Sequence, residues 1–286
     1  MRQSPAVRRR KLGEELRRLR DRAGLTSPEA ARLVGWHQSK VSRIETGRSA
    51  VKPSDVTRLL DAYGVTDPRL RELVHALTSP PAKENGKHWW HAYRGLLPPQ
   101  YRDLISLESQ ASAARTLETT VVPGLLQTPD YARAVTRAAL AGLPAAKVDS
   151  LVEVRITRQE VLGSGKPLEL SAVLDEAVLR RPVGGRQIMK QQLRQLLAVA
   201  ELPHVRLQVL PFESGAHIGL TGPFVIFSFP NIADLDVVVI DHLTSSLYLE
   251  RKEDLKAYDA AFNALQEQAL SPEESSALIT RISDDR

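Results

Sequence analysis

The stretch LTSPEAARLVGWHQSKVSRIETG, residues 25–47, decides how the first part of the chain folds. Thr26-Ser27-Pro28-Glu29 has the spacing of a capping box, in which the threonine hydroxyl and the glutamate carboxylate each satisfy a backbone N–H that a helix start leaves free. Ala30, Leu33 and Val34 supply the apolar side of this helix, and Gly35 is placed to end it. A second short helix is predicted from Gln38 to Thr46, closed by Gly47. At about 100° per residue, with Val41 at 0°, Ile44 falls near 300°, Ser39 near 160°, Arg43 near 200° and Ser42 near 100°. Val41 and Ile44 therefore form a buried face. Gln38, Ser39, Lys40, Ser42 and Arg43 are left outward, all of them short hydrogen-bonders or long cations.

The flanking sequence extends this into a bundle. Leu12, Leu16, Leu19 and Ala23 recur on one helical face over residues 8–23, and Gly24 stops that helix. Pro53 opens a fourth helix with Val56, Leu59, Leu60 and Tyr63 inward, ended by Gly64. Asp67-Pro68 opens a fifth with Leu70, Leu73, Val74 and Leu77 inward. Two short helices around a glycine turn, inside an all-α five-helix bundle, are the layout of a helix-turn-helix reader of duplex DNA. The charge distribution agrees. Residues 1–80 hold 17 Lys+Arg against 9 Asp+Glu, whereas the remainder holds 22 against 25. A basic end on a slightly acidic chain points to a polyanion partner for that end alone.

On the residues Leu25-Thr26 and Gln38-Ser39-Lys40-Val41-Ser42-Arg43-Ile44-Glu45-Thr46-Gly47, the segment resembles the XRE-type, Cro/repressor-like helix-turn-helix family. The resemblance implies that the third helix enters the major groove while the second crosses the backbone. Two departures stand out: Ser27 occupies a position where the family often has a phosphate-contacting Gln, and bulky Trp36-His37 replaces a small turn pair. Gln38, Ser39 and Lys40 are the candidates for base edges; Arg43, Arg48 and Lys52 are the candidates for phosphates, with Ser27 and Ser42 completing the set. Arg8, Arg9 and Arg10 read either as a DNA-contacting arm or as the charged first turn of helix one.

At 286 residues the chain exceeds one typical domain. Residues 78–88, TSPPAKENGKH, are polar and rich in breakers, which sets the expected division: a DNA-binding domain over 1–78, a linker over 79–88 and a larger domain over 89–286. The larger domain opens on Trp89-Trp90-His91-Ala92-Tyr93, with one tryptophan free to meet another surface. Helices are expected over 99–110, 128–141, 145–162, 184–200, 253–269 and 272–282, and strands over 168–174, 204–210, 223–229, 235–241 and 246–250. Strands clustered in sequence with few helices between them predict an α+β domain with a mainly antiparallel sheet and flanking helices.

Catalytic and metal motifs are weak. Gly163-Ser164-Gly165-Lys166 lacks the rest of a phosphate-binding loop, and Phe212-Glu213-Ser214-Gly215 lacks the first glycine of a nucleophile elbow. Asp175-Glu176 beside Arg180-Arg181 reads as structural ion pairing. His88 and His91 lack a third ligand, and cysteine is absent. No cofactor, no metal and no enzymatic activity are expected.

The strings PGLLQTPDYA, residues 123–132, and LDEAVLRRPVGG, residues 174–185, with Gln208-Val209-Leu210-Pro211 and Gly222-Pro223-Phe224, are similar to the effector domain of the actinobacterial WhiJ-like, antitoxin-like regulators. The resemblance implies a regulator of development or secondary metabolism that binds a small toxin-like partner protein. Asp241-His242 departs from it, since relatives more often carry Glu after the hydrophobic strand. The expected protein is a cytoplasmic, nucleoid-associated, homodimeric, sequence-specific DNA-binding transcriptional regulator reading a near-palindromic operator. Two alternatives remain open at this point: a repressor with a small-molecule pocket in the larger domain, and a DNA-binding domain fused to an enzyme. No apolar run reaches the roughly 18 residues of a membrane span, and MRQSPAVRRRKLGEEL contains no hydrophobic signal core.

Overall fold

The computed structural model describes residues 6–49, 51–78, 93, 95–229, 236–242 and 246–286. The chain divides into two compact units, residues 1–87 and 88–286. The expected linker over 79–88 and the segment Trp89–Ala92, with His88 and His91, lie outside the described residues.

In the first unit the helices are α1 (Ala6–Arg22), α2 (Ser27–Leu33), α3 (Gln38–Glu45), α4 (Pro53–Ala62) and α5 (Pro68–Thr78). The capping box at α2 forms as its spacing predicts: Thr26 accepts from the Glu29 N–H, and Glu29 accepts from the Thr26 N–H at 2.8 Å. Gly35 and Gly47 both have φ of +67°, a left-handed turn that glycine enters without a Cβ penalty. Leu12, Leu16 and Leu19 of α1, Val41 and Ile44 of α3, and Val56, Leu59 and Leu60 of α4 are buried together with Val74 and Leu77 of α5.

Two apolar positions do not follow the predicted faces. Leu33 is 61% exposed, because the buried arc of α2 is centred on Ala30, Ala31 and Val34, about 100° away around the helix. Ala23 is exposed because α1 ends at Arg22 and leaves it beyond the packed stretch. The N-terminal arginines follow the second of their two readings, the charged start of helix one. Helix α1 begins at Ala6, so Arg8, Arg9 and Arg10 sit on its first turns and not on an extended arm; their side chains lie outside the described residues.

In the second unit, α6 (Pro99–Glu108) precedes a six-stranded sheet of order β3-β2-β1-β4-β5-β6. The strands are β1 (Ala113–Glu118), β2 (Glu169–Asp175), β3 (Val205–Leu210), β4 (Phe224–Ser228), β5 (Val237–Asp241) and β6 (Ser246–Leu249). The sheet is mixed. β1 pairs in parallel with β2, and β2 with β3, while β1–β4, β4–β5 and β5–β6 are antiparallel. The mainly antiparallel expectation is thus met only in part, with three antiparallel pairings and two parallel, and the reason is β1, for which the sequence predicts no strand. Ala113-Ala114-Arg115-Thr116-Leu117-Glu118 has little intrinsic β preference. Once β1 is in the sheet, the helices that follow it become crossovers: α7 (Pro129–Ala139) and α8 (Ala145–Arg158) carry the chain from β1 to β2, and α9 (Glu176–Arg180) and α10 (Arg186–Ala200) carry it from β2 to β3.

Helix α11 (Lys252–Gln268) covers the sheet face carrying Leu117, Val173, Ile226 and Val238, inserting Phe262 and Leu265. Helix α12 (Pro272–Asp284) packs against α10 and β3. It blunts that edge of the sheet, because the Val209 N–H donates to Ser275 Oγ at 2.9 Å and the Val209 carbonyl accepts from the Leu270 N–H at 2.9 Å. Among the described residues no helix is long and apolar enough to cross a membrane.

Candidate nucleic-acid interface

Helix α3 is fixed from below by apolar contact and by charge. Val41 and Ile44 are buried, and so is Glu45 at its last turn. Arg20 of α1 meets Glu45 through two bonds, Nε to Oε1 at 2.7 Å and Nη2 to Oε2 at 3.0 Å. The same guanidinium donates to the Leu25 carbonyl at 2.6 Å, tying the start of the α2 segment into the clamp. The bond to Glu45 is the main reason the Arg20 pKa lies above its ordinary value, against the opposing pull of burial. α1 approaches the end of α3 so closely that a Cβ on Gly13 would stand 2.5 Å from the carbonyl oxygens of Ile44 and Glu45. Gly13 is thus the contact that lets the two helices touch.

Above this base the predicted side chains divide into three groups. Gln38, Ser39 and Arg43 are exposed on α3, and Arg48 and Lys52 are exposed on the segment leading to α4. Among the described residues, Gln38, Arg43, Arg48 and Lys52 make no side-chain hydrogen bond or ion pair, while Ser39 Oγ lies 3.0 Å from His37 Nδ1. No acid occupies the first turn of α3, and its N-cap residue His37 makes no side-chain capping bond. The free N–H groups and the positive end of the helix dipole are therefore left available to an anion.

Ser42 is half-buried, its carbonyl accepting from Thr46 Oγ1 at 2.8 Å. Ser27 is not displayed as expected. It begins α2 with its Oγ buried and without a hydrogen-bond partner among the described residues, so the hydroxyl is turned away from any phosphate outside. Lys40 is the third case. Its Nζ lies 3.0 Å from Asp55 Oδ2 and 3.5 Å from the centroid of the Trp36 ring. Arg58 approaches that ring at 5.7 Å and donates to the Val34 carbonyl at 2.8 Å. Nothing local in the sequence links Asp55 or Arg58 to this turn; the bulky Trp36 at a turn position is the one signal that points here.

In the second unit, Asp175-Glu176 takes the structural role expected of it. Asp175 caps α9 by accepting from the Ala177 N–H at 2.8 Å, and Glu176 pairs with Arg180 while accepting from the Phe212 N–H at 2.9 Å. Arg181 is exposed.

A basic helical unit that presents a polar, cationic helix over a buried apolar face is a helix-turn-helix DNA-binding domain, and the family model of that name, helix-turn-helix domain, matches residues 11–73. At that level the sequence resemblance holds: the first unit is that of an XRE-like DNA-binding regulator. The chain as a whole belongs to the family defined by a domain of unknown function, DUF5753, whose match takes in residues 101–281. No curated protein and no solved structure matches the chain.

Proposed function

We propose that this protein is a sequence-specific transcriptional regulator that binds a near-palindromic operator as a homodimer, with α3 in the major groove. The observation that carries the reading is the anchoring of α3. Val41, Ile44 and Glu45 hold it from beneath, and Gln38, Ser39 and Arg43 project from the opposite side. Gln38 and Ser39 serve as base-edge readers, joined by Arg43, first read as a phosphate contact, in place of Lys40, which Asp55 and Trp36 engage; Arg48 and Lys52 serve as phosphate contacts that set the register. The second unit takes the effector role and binds a protein partner. Phe212, Ile218 and Leu220, all exposed on the connection between β3 and β4, support a protein over a small molecule.

The test is selection of duplexes from a random library by the full chain. The expected product is a two-fold-symmetric site with half-sites about one helical turn apart. On that site Arg43→Ala costs about 1–3 kcal/mol and relaxes the preference at one position of each half-site, whereas Arg48→Ala weakens all sequences alike and lowers the salt slope by about one unit. Failure to enrich any sequence, with the fold intact, would remove the regulator reading.

A further inference from the structure

We propose that Lys40 is held in reserve, its charge withheld from the phosphate backbone by a clasp of Asp55 and Trp36 that suppresses binding to non-specific DNA. The inference rests on the DNA-binding reading of the first unit.

Lys40 is the third residue of α3, in a first turn that has no acid of its own. A cation at a helix N-terminus works against the helix dipole, so a counter-charge is needed there. Asp55 supplies it. It is the third residue of α4, where the dipole of its own helix favours an anion, and its carboxylate lies 3.0 Å from the ammonium. The carboxylate thus answers the lysine without capping the N–H groups of α3. The Trp36 ring closes the other side at 3.5 Å, a distance at which the negative face of the indole attracts the ammonium. The turn that carries the ring is tied down at its backbone, where the Trp36 main-chain N–H donates to the Ala31 carbonyl at 2.8 Å, and Arg58 of α4 lies 5.7 Å from the ring centroid. The turn, α3 and α4 all contribute, so the arrangement belongs to the fold and not to one flexible side chain.

The consequence for DNA is a matter of charge count. Non-specific affinity comes from cations that replace the condensed counterions of the phosphates. The Lys40 side chain keeps 40% of its surface exposed, but to take a phosphate it must give up Asp55, and the pair adds no net cation to the surface. Gln38, Ser39 and Arg43 keep their access to base edges. The clasp therefore removes one sequence-independent contact and leaves base-edge readout untouched, so binding to arbitrary sequence is weaker than the cation count of the helix implies.

The experiment measures the salt dependence of binding to a mixed-sequence duplex of about 20 base pairs, long enough to span two half-sites one turn apart. The full chain is compared with Asp55→Asn, Lys40→Met and the double variant, each checked for fold by circular dichroism. The clasp predicts that Asp55→Asn steepens the slope of log K against log salt by about 0.9, the value of one added phosphate contact. The double variant returns the slope to that of the wild type. Lys40→Met alone keeps the wild-type slope, where a phosphate-bound lysine would lose about 0.9. An unchanged slope in Asp55→Asn, a steep slope that persists in the double variant, or a shallower slope in Lys40→Met each overturns the clasp. Those results leave DNA binding by the wild type intact; absence of salt-dependent binding in the wild type is the separate result that overturns the underlying reading.

Discussion

Each unit closes on a buried arginine–glutamate pair, and the two pairs are set to different work. In the first, Arg20 and Glu45 join α1 to the last turn of α3. In the second, Arg158 at the end of α8 bonds Glu108 at the end of α6, Nε to Oε1 at 2.9 Å and Nη2 to Oε2 at 2.6 Å, and donates to the Tyr101 hydroxyl at 2.6 Å. Burial alone would depress the Arg158 pKa, but Glu108 and Tyr101 outweigh it and hold the guanidinium above its ordinary range. The chemistry is the same. In the first unit it fixes the helix that carries the outward polar side chains; in the second it joins two helices of the scaffold.

The difference can be broken or sharpened by mutation. The largest effect is expected from Glu108→Ala, which leaves a buried guanidinium without its carboxylate and costs about 3–5 kcal/mol. Denaturant unfolding of the full chain measures it, and adding Arg158→Met recovers most of the loss if the penalty is the stranded charge. Arg20→Ala is expected to cost about 3 kcal/mol in the helical unit by stranding Glu45. It also weakens duplex binding, although Arg20 is buried beneath the interface; unchanged DNA affinity would show that the clamp does not orient α3. Gly13→Val comes next. A Cβ there meets backbone oxygens at 2.5 Å, so α1 must move off α3, at about 1–3 kcal/mol.

A further effect is one of pH, and Glu118 places it in the second unit. Burial, reinforced by the nearby Asp241 charge, pushes Glu118 up to about 8 from 4.5. The folded state thus holds a proton that the unfolded chain has released, and stability declines as pH rises from 4.5 to about 8 and then levels off. Glu118→Gln should flatten that decline, as followed by thermal melting across the window; a decline of the same steepness in the variant would place its source elsewhere.

Legibility in the sequence follows the same division between local and distant causes. The capping box at Thr26 and Glu29, the stops at Gly35 and Gly47, and the N-cap by Thr128 of α7 all act within a few residues, and the sequence spells them out. So does the inward pair Val41 and Ile44, because helical period alone places both on one side. β1 was hidden because two alanines and an arginine become a central strand only when β2 and β4 are laid against them. The partner of Lys40 was hidden because Asp55 lies fifteen residues away on another helix.

By itself, then, the sequence determined the helix limits of the first unit, the buried and outward sides of α3, and the basic character of that unit. These depend on residue spacing and on charge, which a linear chain already carries. Tertiary structure decided the parallel half of the sheet, the inward turn of Ser27, and which of the outward cations are free. Those depend on which surfaces meet across tens of residues: Asp55 and Trp36 occupy Lys40, while Arg43 remains open to solvent.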